Sequence, residues 1–331
     1  MHPELIKLPF FNFTIHSFGP MMVTGFIVAY FLLLHLSRKI TNNNQIITNI
    51  LIYSLIAGVI GARAFYVIHH LSQFEGDFLS VFATWRGGLE FYGGIILAVP
   101  VIIIYLSYRK LPILPYLDLL AIGIMAGLAF GRIGCFLNGC CFGKPTELPV
   151  GVRFPYNSYV YNNQVNPNLK RNRPEPRLNL PQDYFFYVDE KGYGYLKPME
   201  ELSSEQRYEV TKGKYRCLPV HPTQLYSSAN AAFLCFLLYL FWRRSINDTD
   251  KKRFLTADGQ TFSLVFVLYG ITRFILECIR DDNPFEYSWW AIYKGGTVSQ
   301  NVSIYMIIIG LVLLVLFQLK IPKNTPNKLS N

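Results

Sequence analysis

The chain has 331 residues, of which 51% are hydrophobic and only 16% charged, whereas a typical soluble domain carries about 25% charged residues. Aromatic residues reach 16%, as expected for lipid-facing helices with aromatic belts at their ends. This composition excludes a disordered chain, a collagen-like fibre and a coiled coil, and it predicts an integral membrane protein. The net charge of +10 is attributed to basic loops that hold the topology, not to nucleic-acid binding, because no nucleic-acid signature accompanies it.

Seven apolar runs close to the length of about 20 residues that spans a bilayer follow one another along the chain. They are predicted at 18–36, 47–69, 88–108, 115–136, 224–242, 261–280 and 302–320. The stretch between the fourth and fifth runs is rich in Pro, Asn, Tyr and charges of both signs, and it alternates at 151–154 and 183–188. These features predict an all-α polytopic membrane protein with about seven transmembrane helices and a small extracytoplasmic α+β head domain.

The predicted organisation has three parts, and its orientation follows from the Lys and Arg bias of short loops. Residues 1–143 would form an N-terminal periplasmic arm and helices one to four, 144–218 the periplasmic head, and 219–331 helices five to seven with a cytoplasmic tail. With the N-terminus outside, twelve Lys and Arg fall in inner loops and tail against four in short outer segments. We therefore expect the N-terminus outside and the C-terminus in the cytoplasm.

Polar groups gather in the outer half of five predicted helices, and ionisable groups inside a membrane mark function by default. They are Arg63, Glu90, Tyr92, Arg132, His221, Gln224, Tyr226, Tyr269, Arg273, Glu277 and Arg280. The last four are spaced so that they share one stripe of a helix. Arg132 and Arg273 suit a phosphate, because guanidinium binds it in a bidentate manner, and the pattern predicts a site for an anionic phospholipid. For a single arginine, snorkelling to the head groups is the alternative interpretation.

Cys135, Cys140 and Cys141 cluster at the outer end of the fourth predicted helix. No CxxC pair and no histidine pair at ligand spacing accompanies them, so neither a metal nor a cofactor is expected. Small buried thiols are the simplest interpretation, and a disulfide with Cys217 as one candidate partner stays open.

The segment GRIGCFLNGCCFG at 131–143 resembles the signature of bacterial prolipoprotein diacylglyceryl transferases. The resemblance continues in GAR at 61–63, RGGLEFYGG at 86–94, HPTQLY at 221–226 and YGITRF at 269–274 through Glu277. It implies an enzyme of the bacterial plasma (inner) membrane that moves sn-1,2-diacylglyceryl from phosphatidylglycerol to the lipobox cysteine of a preprolipoprotein. This reaction forms a thioether, releases glycerol phosphate and is the first step of lipoprotein maturation.

The resemblance and the pattern of polar residues together predict roles for individual residues. The expected catalytic residues are Arg132, Arg273, Tyr269, Tyr92 and His221. The expected phosphatidylglycerol-binding residues are Arg132, Arg273, Gly143, Arg63, Glu277 and Gln224. Tyr92 stands where many members have a His, and Cys135, Cys140 and Ser227 replace an Asn and two Glu.

Three acceptors for the lipobox thiol proton stay open: His221, Tyr92 acting through a phosphate oxygen, and the phosphate itself. Two other classes of protein also stay open. An anionic-lipid transporter would share the buried arginines but should show repeats and broken helices, which the sequence does not display. A membrane thiol oxidoreductase would use Cys135, Cys140 or Cys141 directly.

Overall fold

The computed structural model describes residues 4–8, 13–16, 18–74, 78–83, 87–190, 192–248 and 256–319. Arg86 of the 86–94 motif and the basic residues of 249–255 and 320–331, which entered the orientation argument, lie outside the described residues.

The described part of the chain is mostly helical. Its α-helices are α1 (Phe18–Ser37), α2 (Asn44–His69), α3 (Phe91–Tyr108), α4 (Ile113–Asn138), α5 (Tyr159–Val165), α6 (Ser204–Thr211), α7 (Thr223–Asn247), α8 (Gln260–Glu277) and α9 (Val298–Leu319). Its strands form two antiparallel hairpins, β1 (Glu4–Leu8) with β2 (Phe13–His16) and β3 (Phe185–Val188) with β4 (Gly194–Leu196).

The prediction of an all-α polytopic membrane protein is confirmed. The helices long and apolar enough to cross a bilayer, within the described residues, are α1, α2, α4, α7, α8 and α9. The third predicted span corresponds to α3, a shorter apolar helix of 18 residues. At 1.5 Å per residue α3 is about 27 Å long, slightly less than the hydrocarbon thickness of about 30 Å.

Helix α4 is the most deeply buried of the spans, and its neighbours are α1, α7 and α8. Leu119, Ala121 and Ile122 on α4 are fully buried in the main core. The pair α2 and α3 packs closely because two glycines face each other: a Cβ on Gly61 would lie 2.4 Å from the Gly93 carbonyl oxygen. Small residues at such positions let two membrane helices approach.

Two expectations need correction, and one pair of strands was not predicted. The sixth span ends at Glu277 and not at 280, so Arg280 lies in the loop after α8 and leaves the predicted helical stripe. After α8 the chain bonds to the segment that follows α4: the Lys144 amide donates to the Ile279 carbonyl at 2.8 Å, and the Asp281 amide donates to the Phe142 carbonyl at 3.1 Å. The segment 151–154 is not a strand, since only Val152 forms a bridge, with Val220. The hairpin β1–β2 was not predicted.

The head is held by its own aromatic core. Tyr161 is fully buried and donates its hydroxyl to the Tyr215 carbonyl at 2.8 Å. The buried Gln164 fixes the strand-like segment before α7, because its Oε1 accepts from the Leu218 amide at 2.8 Å and its Nε2 donates to the Leu218 carbonyl at 3.0 Å. The boundaries of the three predicted parts, 1–143, 144–218 and 219–331, stay predictions.

Candidate active site

The head joins the bundle where α4 ends, α7 begins and α8 ends, and we call this region the head-side end. The chain after α4 runs between two other segments here. The Gly143 amide donates to the His221 carbonyl at 3.1 Å, and the Lys144 amide donates to the Ile279 carbonyl at 2.8 Å. These bonds bring the motif at 131–143 against the His221 motif and against the residues that follow α8.

Gly143 is the closest point of this junction. A Cβ at this position would lie 2.7 Å from both the Cβ and the carbonyl oxygen of His221, and 2.8 Å from Cγ2 of Thr223. Cβ atoms do not approach other atoms this closely, so a side chain would push the segments apart. The predicted importance of Gly143 therefore has a steric basis in the junction itself.

Arg273 and Glu277 form a buried ion pair one helical turn apart on α8. The Arg273 Nη2 also donates to the Ser299 hydroxyl of α9 at 2.8 Å. Arg280 in the following loop binds Asp282 with two parallel bonds, Nε to Oδ1 at 2.9 Å and Nη2 to Oδ2 at 2.7 Å. Both guanidinium groups are thus held by carboxylates in nearly buried positions.

Arg132 is bound far less tightly than either of these arginines. Its one hydrogen bond in the described part of the chain runs from Nη1 to the Cys141 sulfur at 3.7 Å. It lies within electrostatic range of Arg273, Arg280 and Tyr269. Most of its donors are therefore available to an anion.

The charges of the head-side end do not cancel. The guanidinium groups outnumber the carboxylates by five to three: Arg132, Arg171, Arg177, Arg273 and Arg280 against Glu277, Asp281 and Asp282. The excess positive charge lies in a partly desolvated place, where it attracts an anion more strongly than in water.

The thiols at the end of α4 are part of the same neighbourhood. Hydrogen bonds from the Cys135 and Cys140 thiols, followed by the charges of Arg280 and Arg132, lower the pKa of Cys141 below its ordinary value. The Sγ atoms of the three cysteines lie within 4.8 Å of one another. The sequence predicted the cluster but not this proximity.

Gln224 supplies a second polar feature. It is fully buried and donates its Nε2 to the Cys140 carbonyl at 2.7 Å, while its Oε1 has no hydrogen-bond partner within the described residues. An unpaired buried carbonyl oxygen costs free energy unless a ligand satisfies it. The nearby Ser227 hydroxyl donates to the Thr223 carbonyl of its own helix at 2.7 Å.

Arg63 has a different set of partners. Its guanidinium donates to the carbonyl oxygens of Ser80 and Val81, each at 2.7 Å, and of Gly87 and Gly88 at 2.8 and 3.0 Å. These bonds use the donors that a phosphate would need, so Arg63 organises the loop between α2 and α3. Its predicted contact with phosphatidylglycerol stays a prediction.

The two side chains predicted as proton acceptors lie on separate elements. Tyr92 is in the first turn of α3 with 55% of its surface exposed, and α3 packs on α2. His221 lies beside Gly143, where its Nδ1 is 3.3 Å from the Tyr226 hydroxyl. His221 thus belongs to the junction around Arg132, whereas Tyr92 belongs to the α2–α3 pair.

Sequence reasoning missed three polar residues of this region: Asp282, Asn283 and Ser299. The Asn283 amide donates to the Ser299 hydroxyl at 3.1 Å and also contacts Glu277. The run of acidic and amide residues directly after Arg280 was an available signal for the first two. A lone serine at the start of an apolar helix carries no such signal.

Known proteins resemble this chain over most of its length. The profile of the prolipoprotein diacylglyceryl transferase family matches residues 3–316. Relatives named phosphatidylglycerol–prolipoprotein diacylglyceryl transferase include that of Clostridium tetani, 28% identical over 94% of this chain and 96% of its own length. That of Buchnera aphidicola subsp. Schizaphis graminum is 30% identical over 92% and 94%, and that of Finegoldia magna 27% over 97% and 98%. The chain belongs to the prolipoprotein diacylglyceryl transferase family.

Proposed function

We propose that this chain transfers the sn-1,2-diacylglyceryl group of phosphatidylglycerol to the lipobox cysteine thiol of preprolipoproteins, forming a thioether and releasing glycerol phosphate. The observation that carries the proposal is the weakly bound Arg132 at a junction with excess positive charge. A lipid phosphate is the anion that a membrane enzyme of this family would bring there.

Arg132 is the phosphate ligand in this proposal, and Arg273 adds its charge from the adjacent helix. As the bond between the glycerol carbon and the phosphate oxygen breaks, negative charge grows on the leaving glycerol phosphate. Fixed guanidinium groups stabilise such charge in the transition state because they are already oriented before the reaction. Glu277 and Ser299 hold Arg273 in place and act as positioning residues.

Gln224 fits the other end of the lipid head group. Its unpaired Oε1 is a buried acceptor, and the terminal glycerol of phosphatidylglycerol carries hydroxyl donors. A hydroxyl bound there would satisfy the oxygen and would distinguish this lipid from one whose head group lacks donors.

The proposed location is the bacterial plasma (inner) membrane, with the N-terminus outside and the C-terminus in the cytoplasm. The head-side end would then face the outer leaflet, where phosphatidylglycerol and an exported lipobox segment meet.

The decisive experiment combines the purified protein, phosphatidylglycerol vesicles and a lipobox peptide, with mass spectrometry of the peptide. We expect the peptide to gain the mass of one diacylglyceryl group, and a peptide with Ser in place of Cys to gain none. A peptide that instead loses two hydrogens to a disulfide would identify a thiol oxidoreductase. Lipid moved between leaflets without any change in the peptide would identify a transporter.

A further inference from the structure

Three thiols lie together at the end of α4 and in the turn that follows it. The sulfur atoms of Cys135, Cys140 and Cys141 all lie within 4.8 Å of one another. All three cysteines are free, and each side chain is half-buried. The three cysteine side chains are therefore partly shielded from solvent but not fully buried.

The turn that carries two of these thiols is fixed from α7. Cys141 has φ of 62°, which residues other than glycine seldom adopt. Gln224 donates to the Cys140 carbonyl at 2.7 Å, and Thr223 donates to the Cys141 carbonyl at 2.8 Å. An unusual backbone conformation that is bonded at both carbonyls presents the two thiols in a set arrangement, as functional sites often do.

We propose that Cys135, Cys140 and Cys141 bind a thiophilic divalent cation, Zn²⁺, as three thiolates, and leave its fourth position open. Zn–S bonds of about 2.3 Å in a tetrahedron place sulfur atoms about 3.8 Å apart. Thiols already within 4.8 Å need to close by about 1 Å or less to reach this geometry. Three protein ligands with one open position are the arrangement of catalytic zinc sites, whereas structural sites are closed.

The charges around the cluster agree with a metal thiolate. Three thiolates and one Zn²⁺ carry a net charge of −1. Arg132 and Arg280 both lie within electrostatic range of Cys141 and compensate this charge. The arginines therefore allow three negative ligands to exist in a place that is largely removed from water.

A role for the open position rests on the proposed function. Arg132 Nη1 lies 3.7 Å from the Cys141 sulfur, so the metal adjoins the guanidinium that we assign to the phosphate. Zn²⁺ held by the three cysteines would offer its open position to the lipobox thiol and would favour release of the thiol proton to water. In the proposed transfer the lipobox thiolate attacks the glycerol carbon, a C–S bond forms, and the C–O electron pair leaves with glycerol phosphate.

Metal binding is tested on the whole protein in detergent, reduced and stripped with a chelator, by titration with Co²⁺ alone. We expect one Co²⁺ per chain, with the thiolate-to-cobalt absorption of a tetrahedral sulfur site, and displacement by Zn²⁺. Changes of Cys135, Cys140 or Cys141 to Ser should each weaken Co²⁺ binding by more than about 10-fold. Even the mutation of a residue that only hydrogen-bonds a metal ligand lowers metal affinity by about 10-fold or more. The matched controls Cys235→Ser and Cys278→Ser should leave Co²⁺ binding unchanged.

Three results would overturn the metal site: no such absorption in the wild-type protein, its persistence in all three variants, or a disulfide among the three cysteines in the unreduced protein. Should the variants fail to fold, X-ray absorption of the zinc-loaded wild-type protein decides, because fewer than three sulfur ligands contradict the proposal.

Thiol capture is tested separately with two lipobox peptides. A peptide with Cys should change the Co²⁺ spectrum, and the same peptide with Ser should not. If neither peptide changes the Co²⁺ absorption spectrum, the proposal that the metal binds the lipobox thiol is wrong. The Co²⁺ titration needs no phosphatidylglycerol, so its result is independent of whether the chain transfers diacylglyceryl.

Discussion

At the scale of single residues, the arginines of the head-side end differ in what they are free to do. Among the described residues, Arg273 and Arg280 are each paired with a carboxylate, whereas Arg132 makes one weak hydrogen bond to a thiol. A guanidinium that is already paired contributes charge and shape, while an unpaired one can exchange its water for a ligand. For this reason the proposed function gives direct phosphate contact to Arg132 and a supporting position to Arg273.

We predict that Arg132→Lys lowers the rate of thioether formation by about 100-fold or more, the scale reported for lost transition-state donors. Lysine keeps the charge but presents a single ammonium where a phosphate needs two parallel donors. The measurement is the initial rate with phosphatidylglycerol vesicles and a lipobox peptide. Full activity in this variant would show that the geometry of the guanidinium is irrelevant. Lys144→Arg, on an exposed side chain of the same junction, is the control and should keep the wild-type rate.

The proton acceptor is a second question at this scale. His221 already engages Tyr226 through Nδ1, and its backbone carbonyl holds Gly143. We therefore expect His221→Gln to lower the rate without removing the acid-side inflection of the pH–rate profile, and Tyr92→Phe to keep that inflection as well. If His221→Gln alone loses the inflection, His221 is the base and its positioning role is contradicted.

At the scale of elements, the junction depends on the close approach of three chain segments at Gly143. We predict that Gly143→Ala destabilises the protein by about 1–3 kcal/mol, as overpacking does, and lowers activity. The new Cβ would contact His221 and Thr223 at distances that force backbone movement. Gly58→Ala is the matched control, because no atom of the described residues lies within 4 Å of a Cβ built at Gly58. Equal thermal midpoints for the two variants would contradict this account.

Helix α8 begins at a cap that another helix supplies. Asp118 of α4 is buried, and its two carboxylate oxygens accept from the Gly259 and Phe262 amides, each at 2.7 Å. A carboxylate also suits the positive end of the helix dipole. The two hydrogen bonds to Asp118 hold the start of α8, the helix that carries Arg273, against α4.

We predict that Asp118→Asn destabilises the protein by about 1–3 kcal/mol, because an amide can accept only through its oxygen and leaves a buried amide donor unsatisfied. The thermal midpoint in detergent should fall clearly, whereas the exposed change Glu205→Gln on α6 should have little effect. An unchanged midpoint in Asp118→Asn would remove the cap from the account of how α8 is held.

At the scale of the whole molecule, the sequence predicts helices better than it predicts contacts. Apolar runs are long and continuous, so the spans were found within a few residues, but Arg280 was assigned to a helix that stops at Glu277. The pairing of the loop after α8 joins residues far apart in the chain, and no local sequence pattern predicts it. Asp118 was missed for the same reason, since its partners lie 141 and 144 residues away.

The last prediction concerns orientation. The ends of α1, α3 and α7 opposite to the head carry Arg38 and Lys39, Arg109 and Lys110, and Arg243 and Arg244. Positive residues in short loops stay in the cytoplasm, so the head should face outside.

Labelling with a membrane-impermeant maleimide in intact cells tests this orientation, with Cys278→Ser removing an exposed native thiol. Phe186→Cys, exposed on β3 of the head, should react in intact cells. Asn247→Cys at the end of α7 should react only after the membrane is permeabilised, because the charge bias puts it inside. Reaction of Asn247→Cys in intact cells, with no reaction of Phe186→Cys, would show that the protein has the opposite orientation in the membrane. It would also put the head-side end on the cytoplasmic face, away from the exported thiol that the proposed reaction requires.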